Sequence, residues 1–208
     1  MGLERDVEGL ERRVRGGELG DVGGGTGRRR VDVLGNCAGT SQGGVFWEIP
    51  DEVWLDSWGL KLFGYVRLMR EVVPHMIRQG SGRIVSIVGN SGKQPLPTIL
   101  PGASANAALL AITKGLADAV ARHGITVNAI SPGPTSTERH QQLMERLGRL
   151  AGQTATEFEA GLVRDIPIAR VARPEEIADL AVFPASARSG VVTGISITAD
   201  GGMTRAIA

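Results

Sequence analysis

From residue 31 onward, short apolar runs alternate with longer segments of helical periodicity. The runs cover residues 31–34, 84–88, 125–130 and 195–198, and they are typical of strands that are buried on both faces. Strands separated by helices of this length predict parallel β-α-β units. The chain is therefore predicted to form an α/β fold with three layers, α/β/α.

Helices are predicted between these strands, over residues 51–79, 103–123, 138–150 and 174–186. Pro74 lies inside the first segment and is expected to kink or end it. Gly124 follows the second segment in the position that favours a left-handed cap. Pro174 opens the last segment, where its missing N–H has no cost.

The first 30 residues do not follow this pattern. Residues 3–14 carry apolar side chains at helical spacing and predict a short charged helix, which is marginal on its own. Residues 16–30 contain seven glycines and no apolar period of either 2 or 3.6, which is typical of a linker. We therefore divide the chain into a poorly specified segment, residues 1–30, and a single domain, residues 31–208.

The composition excludes several classes of function. A net charge of +1 gives no electrostatic reason to expect nucleic acid or an anionic membrane as a partner. Cys37 is the single cysteine, so no internal disulfide and no thiolate-rich metal site is predicted. The charged start does not match a secretory signal, and no uninterrupted apolar run reaches the ~20 residues that span a bilayer. A cytoplasmic location is expected.

Four segments resemble motifs of the short-chain dehydrogenase/reductase family. Residues 36–39, Asn-Cys-Ala-Gly, resemble its Asn-Asn-Ala-Gly turn, and residues 82–87 resemble the strand that presents its catalytic serine. Residues 125–134 resemble the strand and Pro-Gly turn under the nicotinamide, and residues 192–202 resemble the last strand. The resemblance implies a Rossmann-type doubly wound parallel sheet, NAD or NADP as cofactor, and a small carbonyl or alcohol substrate. It also implies a homodimer or homotetramer built on the two long helices.

The family's phosphate loop has no match in this chain. In the family the Asn-Asn-Ala-Gly turn follows the fourth strand, whereas one β-α-β unit already needs about the 30 residues that precede it here. The glycines at 16–27 do not fit the pattern Thr-Gly-x-x-x-Gly-x-Gly. We expect the Rossmann-type sheet to be incomplete, with its first β-α-β half missing and the strand at residue 31 left as an exposed edge.

The family's catalytic positions all hold other residues. The resemblance places Gly102 at the tyrosine, Asn106 at the lysine, Gly89 at the serine and Lys61 at the asparagine. Ketone reduction needs an acid of lowered pKa beside a hydrogen-bond donor, and this set offers none of the usual pair. Lys61, Ser91 and Asn106 remain as weak catalytic candidates.

Two residues on the first long helix have alternative interpretations. Lys61 is either a buried lysine that titrates near neutrality and donates a proton, or a side chain that extends with its ammonium in water. Tyr65 lies one helical turn later and either pairs with Lys61 or packs between helices. His140, on a polar helix, is expected at the surface.

The cofactor-facing positions match the family better. The resemblance implies that the adenine-ribose side of the cofactor is contacted by Asn36, Ala38 and Gly39. It implies that the nicotinamide carboxamide is contacted by a second set, Pro132, Gly133 and Thr137. The second set also suits a plain strand-exit turn. The sequence thus predicts an NAD(P)-dependent oxidoreductase that is inactive or impaired. The alternatives are a non-catalytic binding or oligomerisation subunit of the same fold and a gene fragment.

Overall fold

The computed structural model describes residues 30–39 and 43–205. Within them, the chain forms a four-stranded sheet with neighbouring strands in chain order: β1 Val33–Asn36, β2 Gly82–Ile87, β3 Ile125–Pro132 and β4 Ser196–Ala199. Every neighbouring pair is parallel. The predicted α/β class and parallel order are confirmed, whereas the predictions for residues 3–14 and 16–29 lie outside the described residues.

The first long helical segment is continuous but changes its pitch. Its parts are α1 Asp51–Ser57, a π-helical turn Trp58–Phe63, and α2 Gly64–Gln79. Pro74 does not end the helix, which runs on to the left-handed cap at Gly80. Met69 and Met76 are buried on either side of this proline, so their packing holds the helix together although one backbone hydrogen bond is lost.

The remaining helices are α3 Leu100–Val120, α4 Glu138–Ala151, α5 Ala155–Arg164 and α6 Pro174–Ala185. A 3-10 turn extends α3 to His123, and Gly124 follows with φ of 73°, as predicted. The sequence analysis missed α5. Its capping box is formed by Thr154 and Glu157, and the pattern Thr-x-x-Glu before Phe158 could have revealed it.

Two apolar cores lie on opposite faces of the sheet and confirm the three layers. The first core joins α2 and α3 to the sheet and includes Met76, Ile84 and Leu109. The second core lies under α6 and contains Val85, Ile130 and Ile177. Adjacent residues of one strand, Ile84 and Val85, enter different cores because successive side chains point to opposite faces.

In the described part of the chain, β1 is an edge strand whose outer part is open. Its residue Val33 is 48% exposed. A side chain added at Gly35 would meet no atom within 4 Å of its Cβ. The expected exposed edge at this strand is therefore present among residues 30–39 and 43–205.

One helical stretch in the described residues, Pro97–His123, is long and apolar enough by length and composition to cross a membrane. In the structure this stretch contains α3, which packs on β3. Its residues Ala105, Leu109 and Ala117 are buried inside the protein. An apolar stretch of this length is therefore also found in a helix that packs in the core of a protein.

Candidate functional site

A cavity of about 970 Å³ opens at the carboxyl ends of the strands. Its walls include the exits of β1, β2 and β3, at Cys37, Asn90 and Pro134. The helices α4, α5 and α6 cover it with apolar side chains such as Met144, Phe158 and Ile177. Ligands of parallel α/β sheets bind at this end, where the strand exits leave a crevice.

Lys61 forms part of the cavity wall and is only 7% exposed. It lies in the π-helical turn, a departure from α-helical pitch that is frequent at functional sites. Burial lowers the pKa of its ammonium to about 8, and the nearby Arg139 cation acts in the same sense. The interpretation in which Lys61 extends into water is therefore wrong, because its helix face is turned toward the strand exits.

Gly39 brings Lys61 and Arg139 together. The Arg139 Nη1 atom donates a hydrogen bond of 2.8 Å to the Gly39 carbonyl. A Cβ atom at position 39 would lie 3.2 Å from Lys61 Cδ, so the glycine allows this close approach. Among the described residues neither cation forms an ion pair with a carboxylate. One wall of the cavity is thus positively charged.

Ser91 and Asn106 are brought together at the same cavity. The Asn106 Nδ2 atom donates a 2.9 Å hydrogen bond to Ser91 Oγ, and both side chains are buried. A Cβ atom at Gly89 would lie only 3.0 Å from Asn106 Nδ2. A side chain at position 89 would therefore require Asn106 to shift by a few tenths of an ångström.

Tyr65 is a packing residue in this structure. It is 1% exposed, and its hydroxyl is placed to donate to the carbonyls of Ala38 (2.8 Å) and Ile87 (3.2 Å). Burial raises the pKa of this phenol, which removes it further from acid catalysis at neutral pH. Among the described residues, Tyr65 forms no hydrogen bond to Lys61, and the predicted alternative of packing between elements fits the structure.

Four of the six predicted cofactor-facing residues line the cavity, namely Asn36, Pro132, Gly133 and Thr137. Ala38 and Gly39 instead lie behind its wall, where their carbonyls accept the hydrogen bonds from Tyr65 and Arg139. Asn36 Nδ2 donates to Ser86 Oγ at 3.1 Å, while its Oδ1 atom is buried without a partner in the described part of the chain. Contact of these residues with a cofactor stays a prediction.

The turn after β3 also has structural reasons for its sequence. A Cβ atom at Gly133 would lie 2.7 Å from Asp200 Cβ, so only glycine fits there without displacing the last strand's exit. The Thr137 hydroxyl accepts a hydrogen bond from the His140 N–H and caps α4. The alternative of a plain strand-exit turn therefore has its own physical basis.

His140 is a cavity residue that the sequence analysis placed at the surface. Its Nε2 atom lies 2.9 Å from Glu159 Oε1, and its side chain is 10% exposed. The surface prediction is wrong because Glu159 belongs to α5, the helix that the sequence pattern did not reveal. With α5 in place, the polar face of α4 is partly covered.

Comparisons with known proteins agree with this fold. The family model for enoyl-(acyl carrier protein) reductase matches residues 25–204. The short-chain reductase NovJ of Streptomyces niveus is 35% identical over 178 residues, which are 83% of this chain and 64% of NovJ. The uncharacterized oxidoreductase YvrD of Bacillus subtilis is 32% identical over 181 residues, 85% of this chain and 69% of YvrD.

Solved structures show the same relationship. A variant of the actinorhodin polyketide ketoreductase, solved with NADPH, superposes with a TM-score of 0.86 at 30% identity. The match covers 97% of this chain and 76% of that protein. The chain thus spans about two thirds to three quarters of the proteins that it resembles. With the family model matched over most of its length, this chain belongs to the short-chain dehydrogenase/reductase family of oxidoreductases.

Proposed function

We propose that this chain binds NAD or NADP together with a small carbonyl or alcohol compound, and that its reduction of ketones is strongly impaired. One observation carries the proposal. The strand-end cavity keeps its cofactor-facing turns, but Gly89, Gly102 and Asn106 stand where the family places its donors. Neither glycine offers any polar side chain to a reacting carbonyl.

The residues present would hold the nicotinamide part of the cofactor, since the family's phosphate loop has no match in this sequence. The cavity falls within the size range of small-molecule and cofactor sites, and open space lies over Gly35 in its wall. The Oδ1 atoms of Asn36 and Asn106 are buried without partners in the described residues and could accept hydrogen bonds from a ligand. When bound, the nicotinamide would supply the hydride, as the family's chemistry requires.

The side chains of the cavity would then supply only part of what the reduction of a ketone requires. Ser91 and Asn106 can offer hydrogen bonds, which would orient a carbonyl compound. An alcohol or an amide does not give up its proton at neutral pH without a strong adjacent base. A carbonyl oxygen that gains negative charge in this cavity would therefore lack the family's phenolic proton donor.

A second candidate function is a reductase in which Lys61 donates the proton. The observation in its favour is that the Lys61 ammonium is buried in the cavity wall with a pKa lowered to about 8. An ammonium with this pKa exchanges its proton readily at neutral pH. The two candidate functions predict different results when Lys61 is replaced. Only a reductase that uses Lys61 as its proton donor loses activity in that variant.

The cofactor proposal is tested by titrating the chain with NADPH and NADH and following its tryptophan fluorescence, to which Trp47, Trp54 and Trp58 contribute. We expect saturable binding. Gly35→Leu should weaken it by about tenfold or more, because a Cβ at this position meets open space and the larger side chain would occupy part of the cavity. Gly190→Leu is the matched control, at an exposed glycine outside the cavity. Equal binding by both variants, or no signal at millimolar cofactor, would reject the proposal.

We also propose a homodimer that pairs the two long helices, with a homotetramer as its extension. Leu55 and Phe63 are 63% and 49% exposed, so the first helical segment presents two large apolar side chains to solvent. An isologous contact would bury both. Sedimentation at micromolar concentration should give at least twice the chain mass, and Phe63→Glu should give monomer. Val182→Glu, at an exposed valine on α6, should leave the assembly intact. A monodisperse monomer for the unmodified chain contradicts this proposal.

A further inference from the structure

We propose that Lys61 and Arg139 form an oxyanion-binding site in the strand-end cavity, and that it holds the carboxylate of a keto acid or hydroxy acid. The inference rests on the proposed function in one respect, that the cavity is where the carbonyl or alcohol compound binds. Beyond that function, we infer that the bound compound carries a negative charge. The family resemblance assigns Lys61 no such role, since the family has a neutral asparagine at this position.

Lys61 is a buried cation that has no counter-ion among the residues that the structure describes. Lys61 is 7% exposed, and its side chain forms no hydrogen bond or ion pair with any residue in the ranges 30–39 and 43–205. A buried ammonium loses several kcal/mol of hydration unless an anion or hydrogen-bond acceptors replace the water. Buried charges in proteins are therefore generally paired or bind a ligand.

The second cation, Arg139, indicates which kind of anion this site would bind. Arg139 lines the same cavity at its more exposed side, and its guanidinium is close enough to Lys61 to lower the lysine's pKa. Two cations that face one space repel each other, and only an anion between or beside them turns this repulsion into attraction. A guanidinium also offers a fork of N–H donors, the geometry that suits a carboxylate or phosphate.

The other charged and titratable groups around the cavity do not neutralise this pair. Cys37 is the further titratable group that acts on Lys61, and it raises the lysine's pKa by less than burial and Arg139 lower it. Glu159 is engaged with His140. Asp165, at the end of α5, lines the cavity but forms no ion pair in the described part of the chain.

The rest of the cavity indicates what carries the anion. Its lining beyond the two cations is largely apolar, with Leu96, Ile99, Leu143 and Met144 among its members. An alkyl or aryl body would be buried against these side chains, at about 25 cal/mol for each Å² of apolar surface. The expected ligand thus joins an apolar body to one oxyanion group, with the reacting oxygen placed near Ser91 and Asn106.

The test measures binding by calorimetry at pH 7, without turnover. The probes are 4-oxo-4-phenylbutanoate, its uncharged methyl ester, and NADPH. The variants are Lys61→Met and Arg139→Met, which keep the side-chain length and remove the charge. The controls are Lys114→Met, at an exposed lysine of α3, and Arg149→Met, at an exposed arginine of α4.

We expect the keto acid to bind the unmodified chain about tenfold or more tightly than its ester, the difference made by a charge-assisted hydrogen bond. Lys61→Met and Arg139→Met should each abolish this preference for the acid over the ester, and both control variants should keep it. The ester should bind the unmodified chain and all four variants with the same affinity. Equal affinity for acid and ester in the unmodified chain would overturn the proposal. So would a loss confined to NADPH, which would assign the two cations to a cofactor phosphate. The Gly35→Leu experiment separates these outcomes from failure of the cofactor proposal, because the keto acid is measured without cofactor.

Discussion

With NADPH and cyclohexanone, the unmodified chain is expected to oxidise the cofactor no faster than buffer alone. A positioned general acid typically contributes about 10²–10⁴-fold to such a reaction. Loss of one oxyanion-side donor typically costs about 10²–10³-fold in kcat. With Gly102 and Gly89 at these positions, both the general acid and the oxyanion-side donor are absent. The two losses in rate need not multiply, because residues that act as a unit are not additive. The measurement is the decrease of NADPH absorbance with time.

The double variant Gly102→Tyr with Asn106→Lys should also stay inactive. It restores the phenol and its lysine, but position 89 still lacks a hydroxyl and Lys61 still replaces a neutral asparagine. The new lysine would add a further cation to the wall that holds Lys61 and Arg139. Cofactor oxidation by the unmodified chain that is lost in Lys61→Met, and kept in Lys114→Met, would contradict the prediction and establish Lys61 as the proton donor.

Lys61→Met is expected to raise the free energy of unfolding by about 3 kcal/mol at pH 7. The pKa of Lys61 falls from 10.5 to about 8 in the folded chain, largely because burial disfavours the charged form. Each pKa unit corresponds to about 1.4 kcal/mol, which gives the expected size. Methionine has a similar length and carries no charge, so it removes this penalty and keeps the packing. Urea denaturation of the two proteins measures the difference.

The sign of the pH dependence follows from the lowered pKa. Below about pH 8, Lys61 is protonated in both the folded and unfolded chains, and the whole penalty acts on the folded state. Between about 8 and 10.5 the folded chain releases its proton first, so the unmodified protein gains stability relative to Lys61→Met as pH rises. The advantage of the methionine variant should therefore shrink between pH 7 and pH 10. Lys114→Met, at a solvent-exposed ion pair, should change stability by less than about 0.5 kcal/mol at both pH values. A destabilised Lys61→Met at pH 7 would show that the ammonium has a stabilising partner.

The amino-acid pattern predicts the order of the strands and of every described α-helix except α5, and it also shows that the family's proton donor is not at position 102. Apolar runs such as residues 84–88 are typical of strands that are buried on both faces, and their alternation with helical segments predicts the parallel sheet. Gly124 predicted its left-handed cap because glycine adopts positive φ at little cost. The glycine at position 102 carries no acid in any fold, and this local fact needs no tertiary structure.

The roles of the remaining polar residues depend on how the folded chain packs. Lys61 lies in a π-helical turn that directs it into the cavity, and a regular helical pattern does not contain that turn. Asn106 fills the space beside Gly89, and His140 meets Glu159, through contacts between segments that are distant in the chain. Such contacts depend on how elements pack, whereas sequence periodicity reports only which face of each element is apolar. The charge of the cavity wall is for this reason a property of the folded chain.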